Sequence, residues 1–137
     1  MIKEEWLVIP DTNFLLVPGQ FGVDVISELN RILDVKFRVA VPNVVLQELE
    51  LIERKSRGRD LMAIRMARKL AERFEVVDVG RFGDGPTDDQ ILEFAVKRGR
   101  TIVCTNDRKL RKRLREKGVP VVYLRSKKIL ELEGMVG

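Results

Sequence analysis

The sequence contains no histidine and only one cysteine in 137 residues. The first absence removes Ser-His-Asp and Cys-His catalysis, histidine general bases and histidine-rich zinc sites. The second removes cysteine-rich zinc sites and any intramolecular disulfide. The lone thiol, Cys104, sits in the apolar run Thr101-Ile102-Val103-Cys104 and reads as a buried, inert side chain. No apolar stretch approaches the ~20 residues of a membrane span. The N-terminus, Met1-Ile2-Lys3-Glu4-Glu5, is acidic early and lacks the layout of a signal peptide, so the expected location is the cytosol, without a membrane partner. What these absences leave is chemistry on carboxylates, amines and hydroxyls, or on a hard metal held by oxygen.

Charge is what the chain has in abundance. Lys and Arg number 26 against 21 Asp and Glu, giving a net charge of +5 and a pI near 9.6. That balance favours a polyanionic partner. Lys, Arg and Glu dominate the polar surface, a pattern seen in proteins from hot environments (thermophiles). Hydrophobic residues make up 45%, enough for a real core, and the length suits one domain spanning residues 1–137.

Short apolar runs alternate with helical patterns along the chain. Trp6-Leu7-Val8-Ile9-Pro10 reads as a strand buried on both faces, with a loop expected at Pro18 to Gly22. A helix capped by Asp24 follows, then a strand from Phe37 to Val41. Asn43 is placed to cap the next helix, which carries Glu48 among Val45, Leu46 and Leu49. After a basic break from Arg54 to Arg59 come a helix over 61–74 and a strand over 75–79. Thr87 is expected to cap a helix opening on Asp88 and Asp89 and ending at Gly99. A strand over 101–104, a very basic helix over 109–117, a strand over 121–124 and a short helix over 126–133 complete the pattern. This alternation predicts an α/β fold, three layers around a mainly parallel central sheet.

Asp11 and Asp107 each directly follow a buried strand. In parallel α/β sheets ligands bind outside the carboxyl ends of strands, so both acids belong on one edge. Asp88, Asp89 and Glu48 are candidates to join them, depending on strand order. Each has a structural reading too. Asp11 suits a turn cap, Asp107 a helix N-cap, and Asp88 or Asp89 the positive end of a helix dipole. A helical Glu is usually solvated, but Glu48 interrupts an apolar run. Converging carboxylates repel, so protonation, basic partners or divalent cations must compensate, and Mg²⁺ is the natural choice for oxygen-only ligands. Thr105 and Asn13, beside the acids, are placed to hold them by hydrogen bonds.

Four segments, in order, resemble the acidic motifs of PIN domains. They are Val8-Ile9-Pro10-Asp11-Thr12-Asn13, Pro42-Asn43-Val44-Val45-Leu46-Gln47-Glu48-Leu49, Thr87-Asp88-Asp89-Gln90-Ile91-Leu92 and Val103-Cys104-Thr105-Asn106-Asp107-Arg108-Lys109-Leu110. The resemblance implies a Mg²⁺- or Mn²⁺-dependent endoribonuclease with Asp11, Glu48, Asp88 and Asp107 as an acidic quartet. Asp11, Asp88 and Asp107 would hold metal, and Asp89 would support them. Asp88 is chosen within the doublet because Ala95 lies seven residues on. The basic helix followed by Gly118-Val119-Pro120-Val121 looks closer to ribosomal-RNA-processing PIN nucleases than to many VapC-type toxins. The partners implied are RNA (or single-stranded and flapped nucleic acid), an antitoxin or a ribosome-assembly protein, and a second copy in a homodimer or higher homo-oligomer.

Residues 108–117 hold seven Lys or Arg in ten. Read functionally, Arg108, Lys109, Arg111, Lys112 and Arg115 track nucleic-acid phosphates beside the acids; read blandly, they are a solvated face. Arg54, Lys55, Arg57 and Arg59 form a second basic candidate. No aromatic interleaves with either patch, so base stacking is not the main mode of grip. Two rival classes differ in what they would do. A non-catalytic nucleic-acid-binding module would bind and yield no products with Mg²⁺ or Mn²⁺. A receiver-like or phosphatase-like phosphoryl-transfer domain would gain mass from acetyl phosphate, but Asn13 stands where such families usually place a second acid.

Overall fold

The computed structural model describes residues 5–137. Residues 1–4, on which most of the N-terminal reading falls, lie outside the described residues. The elements are β1 (Trp6–Pro10), α1 (Thr12–Leu15), α2 (Val17–Phe21), α3 (Val25–Ile32), β2 (Phe37–Pro42), α4 (Asn43–Lys55), α5 (Gly58–Ala71), β3 (Glu75–Val77), α6 (Thr87–Arg98), β4 (Thr101–Cys104), α7 (Arg108–Glu116), β5 (Val121–Arg125) and β6 (Ile129–Glu133).

The strands form one sheet in the order β3-β2-β1-β4-β5-β6. All neighbours pair in parallel except β5 and β6, which are antiparallel. The sheet is covered on both faces, and strand alternation sorts the side chains. Leu7, Ile9, Val103 and Val121 pack with Val45, Leu49, Ile64, Ile91 and Leu110 from α4 to α7. Val8, Ile102 and Val122 pack with Phe14, Val17, Val25 and Leu29 from α1 to α3. Three layers result, as the alternating pattern requires.

Four local expectations are corrected. The segment expected to be a short helix over 126–133 is instead strand β6, paired from Arg125↔Ile129 to Val121↔Glu133. Its sequence alternates with period two. Leu130 and Leu132 face the core, while Glu131 accepts a 2.7 Å hydrogen bond from the Tyr123 hydroxyl across the ladder. Ser126 and Lys127, at φ 53 and 60, make the hairpin turn. The expected loop at Pro18 to Gly22 is mostly helix. Pro18 sits in the first turn, where its missing N–H is harmless, and Gly22 ends α2 at φ 67. Neither Asn43 nor Thr87 is a side-chain cap; each lies just inside its helix, behind Pro42 and Pro86. α4 also continues through Lys55, and α5 begins at Gly58, so the basic break is only a tight junction. Among the described residues no helix is long and apolar enough to cross a membrane.

Candidate active site

β1 has β2 on one side and β4 on the other. Connections from β1 and β4 therefore diverge, and a crevice opens between their carboxyl ends. Asp11 follows β1 at this point and Asp107 closes the turn after β4. Asp11 is 5% exposed. Its carboxylate caps α1 by accepting the Phe14 N–H at 2.8 Å, and its other oxygen accepts the Thr105 hydroxyl. Thr105 is itself fully buried and accepts the Asp107 N–H at 3.1 Å. Asp107 then caps α7 through the Leu110 N–H at 2.9 Å. One relay of hydrogen bonds thus ties the two strand-end acids together.

The other two acids arrive on helices. Glu48, half-buried on α4, accepts a hydrogen bond from the Thr12 hydroxyl, one residue past Asp11. Asp88 lies in the first turn of α6. The shifts of Asp11 and Asp88 register the convergence. Burial pushes Asp11 up from 3.8 to about 7, opposed by the Thr105 and Phe14 hydrogen bonds and reinforced by the charges of Asp88 and Asp107. Burial also raises Asp88, with Asp107 and Glu48 adding repulsion and Arg113 offsetting part of it. Asp11 thus feels Asp88 and Asp107, and Asp88 feels Asp107 and Glu48, which draws carboxylates from four separate elements to the β1–β4 crevice.

The doublet divides in two. Asp89 is exposed and pairs with Arg113 of α7 at 2.7 Å, while Asp88 turns toward the other acids. Asn13 does not do what its position suggested: it is exposed and donates to no carboxylate among the described residues, and Thr12 beside it takes that role. Three further residues support the site in roles that the sequence reading did not assign to them. Asn43, in the first turn of the Glu48 helix, accepts the Val79 N–H at 2.9 Å and donates to the Gly80 carbonyl at 2.7 Å. Gln90, in the first turn of the Asp88 helix, donates to the Arg81 carbonyl at 2.7 Å. These two amides clamp the loop before Asp88 from both sides. Asn106 accepts the Leu124 N–H at 2.7 Å and pins the Asp107 turn to β5. The signal for all three was a polar amide beside a helix-starting motif.

The donor set is all carboxylate and hydroxyl oxygen, which suits a hard divalent cation. Among the described residues no three His, Cys, Asp or Glu side chains close into a ready-made metal cage. Mg²⁺ does not require one, since it keeps several waters and binds through one or two carboxylates and substrate phosphates. Burial and, after it, repulsion raise Asp11 and Asp88, and a bound cation offsets both by favouring the ionised carboxylates.

The basic residues divide as well. On α7, Arg108, Lys109 and Lys112 are exposed and make no ion pair with a described residue. Arg111 stacks 3.9 Å over the Tyr123 ring and lies 3.9 Å from Glu133, and Arg115 is 3.6 Å from Glu133. Arg108, Arg111, Lys112 and Arg115 share one open concavity with Glu116 and Glu133. Arg111 and Arg115 thus also have a structural task, holding β6 to α7.

Comparison with known proteins identifies the family. A PIN-like domain profile matches residues 8–127. The chain is 32% identical over 131 residues to Ribonuclease VapC4 of Methanocaldococcus jannaschii, covering 94% of this chain and 98% of that one. It is 34% identical over 125 residues to Ribonuclease VapC9 of Archaeoglobus fulgidus, covering 91% and 87%. Among solved structures, the PIN domain endonuclease Utp24 superposes with a TM-score of 0.76 at 29% identity, covering 95% of this chain and 92% of that one.

Proposed function

The chain belongs to the PIN-domain nuclease family, and from that premise we propose that it is an endoribonuclease using a carboxylate-held Mg²⁺ or Mn²⁺. The observation that carries the reading is the meeting of Asp11, Glu48, Asp88 and Asp107 at the β1–β4 crevice, where burial and mutual repulsion raise Asp11 and Asp88. Asp11 and Asp88 would hold the principal ion, with Asp107 completing or bridging the set. When bound, the ion supplies charge neutralisation at the phosphodiester and activation of water.

The chain's own residues do the rest. Thr105 orients Asp11 and Asp107 together, and Thr12 fixes Glu48 in a position to bind metal or orient the attacking water. Asp89 supports the site indirectly, by anchoring α6 to α7 through Arg113. Arg108, Lys109 and Lys112, with the solvent-facing sides of Arg111 and Arg115, grip RNA phosphates next to the acids. RNA as substrate is favoured because the two relatives matched over nine-tenths of the chain are both named ribonucleases.

The test is cleavage of end-labelled single-stranded RNA. EDTA should abolish it, added Mn²⁺ should restore it, and the products should carry 5′-phosphate and 3′-hydroxyl ends. RNA left intact at every Mn²⁺ concentration by folded protein would overturn the reading. For the protein partner, the shared VapC name favours a small antitoxin. Affinity capture from the native cell checks it. A stoichiometric small protein supports the antitoxin, whereas ribosome-assembly proteins would reverse the assignment.

A further inference from the structure

We propose that the α4–α5 junction is a second phosphate-gripping arm, formed by Lys55, Arg57 and Arg59. One extended RNA strand is then held on both sides of the acid crevice. The inference rests on the ribonuclease reading and adds to it the class of substrate: a single-stranded stretch long enough to reach from α7 to this arm.

The first observation is which cations are spent. Around the junction, Arg54 pairs with Glu50 at 3.1 Å, and Arg65 and Arg68 both pair with Glu53. Lys55, Arg57 and Arg59 are exposed, and their side chains make no ion pair or hydrogen bond with a described residue. Asp60 is the only acid that shares this exposed turn from Lys55 to Asp60.

The second observation is that helix stability does not explain them. Lys55 complements the C-terminal end of α4, but Arg57 is the N-cap of α5 and Arg59 lies in its first turn. Cations at a helix N-terminus oppose the dipole, so these two arginines are placed against local stability. Gly58 between them holds φ 59, a conformation that turns the chain sharply and leaves both side chains outside.

The third is position. Lys55 lies seven residues after Glu48 on one continuous helix. Seven residues return to nearly the same face and rise about 10 Å. Lys55 therefore lines up with the acid that faces the crevice, roughly three stacked nucleotides farther on. α5 is fixed at this edge of the sheet: Gly19 of α2 packs so closely on it that an added Cβ would lie 2.6 Å from the Ala63 Cα. α2 itself follows directly from the helix that Asp11 caps. Strand order then sets the sides. α4 and α5 connect β2 to β3, whereas α7 connects β4 to β5, so the two basic elements flank the β1–β4 crevice from opposite directions.

The experiment compares Lys55→Gln/Arg57→Gln/Arg59→Gln with a control that removes three charges elsewhere, Lys36→Gln/Lys69→Gln/Lys97→Gln. Binding in EDTA is read by fluorescence anisotropy on labelled single-stranded RNAs of about 20 and about 6 nucleotides, the shorter reaching about 20 Å when stacked. For the longer RNA the arm variant should bind about tenfold more weakly, with a salt slope reduced by about 2, or about 0.7 per lost contact. For the shorter RNA it should stay within about twofold of wild type, and the control should stay within about twofold on both RNAs. Arg57→Gln alone should lower the slope by about 0.7 and serves if the triple variant melts early. An arm variant matching the control on the longer RNA overturns the arm while leaving a wild-type protein that still binds and cuts. Wild-type protein that binds and cuts neither RNA overturns the ribonuclease reading and the arm together.

Discussion

Replacing Asp11 by Asn should change how metal-free stability depends on pH. Burial holds Asp11 near 7 in the folded protein against 3.8 for the ordinary carboxyl. The neutral form is the one the fold prefers. Below pH 4 both folded and unfolded chains carry the proton, and no penalty applies. As pH rises the unfolded chain ionises first, so folding increasingly resists, until the folded carboxyl also ionises near 7. At about 1.4 kcal/mol per unit the full effect is about 4 kcal/mol, of which roughly 3 develops between pH 5 and pH 8. Asparagine keeps the acceptor for the Phe14 N–H, and its amide group can donate to the Thr105 oxygen, so the local bonding survives. Urea unfolding in EDTA should therefore show the variant gaining on wild type as pH rises, by about 3 kcal/mol between pH 5 and pH 8. Mn²⁺ at a hundred times its Kd should return about 2.7 kcal/mol to wild type and much less to the variant. Parallel pH curves for the two proteins would refute the argument, because the buried charge would then not be the source of the wild-type slope.

Asp88→Asn should abolish RNA cleavage while leaving apo stability equal or higher, because it removes a carboxylate raised by burial and by Asp107 and Glu48; a clear drop in melting temperature would make Asp88 a structural cap instead. Asp89→Asn should retain cleavage and lose at most about 1 kcal/mol with its half-exposed Arg113 pair, read in the same two assays. Thr105→Val removes a bond that lowers Asp11, so the acidic limb of the cleavage pH profile should move upward; an unmoved limb would mean that Thr105 does not set the Asp11 charge. Arg108→Gln/Lys109→Gln/Lys112→Gln should flatten the salt dependence of RNA binding with little change in single-turnover cleavage at saturating RNA. Arg115→Gln should in addition lower stability, since Arg115 donates to the Val119 carbonyl at 3.2 Å and sits beside Glu133; equal melting curves would mean that this contact holds nothing.

The α/β architecture was legible because its signal is repeated: five short apolar strands, each followed by a turn and a helical period. The misread segments are those where two periods compete over few residues. In residues 126–133 about two turns of helix and a five-residue strand both accommodate Ile129, Leu130 and Leu132. The Tyr123–Glu131 and Leu124–Leu130 pairings decide for the strand, and those pairings exist only once β5 is in place. α2 was hidden by Pro18 and Gly19, two residues that usually break helices. Here the proline falls where its missing N–H is harmless, and the glycine is required by the close approach of Ala63. Neither fact can be seen without the partner helix.

The candidate site divides along the same line. Asp11 and Asp107 were placed on one edge by a rule that needs only strand direction. Bringing Asp88 and Glu48 to them needed the strand order, which puts β4 beside β1 although 90 residues of chain lie between Pro10 and Thr101. Choosing between Asp88 and Asp89 needed more still. Adjacent helical residues point about 100° apart, so only one of the two can face the acids while the other faces a neighbour. The sequence supplies both carboxylates but not the neighbour. That neighbour is Arg113, on the exposed side of α7 at 2.7 Å from Asp89, and its claim on Asp89 leaves Asp88 for the crevice. If the assignment holds, Arg113→Glu should disturb Asp89 by repulsion and lower stability, and Asp89→Arg in that background should restore it by re-forming the pair with reversed charge. Cleavage should persist in the reversed pair, since neither residue would touch metal or RNA. Loss of cleavage in a reversed pair of restored stability would move the metal-binding role to Asp89.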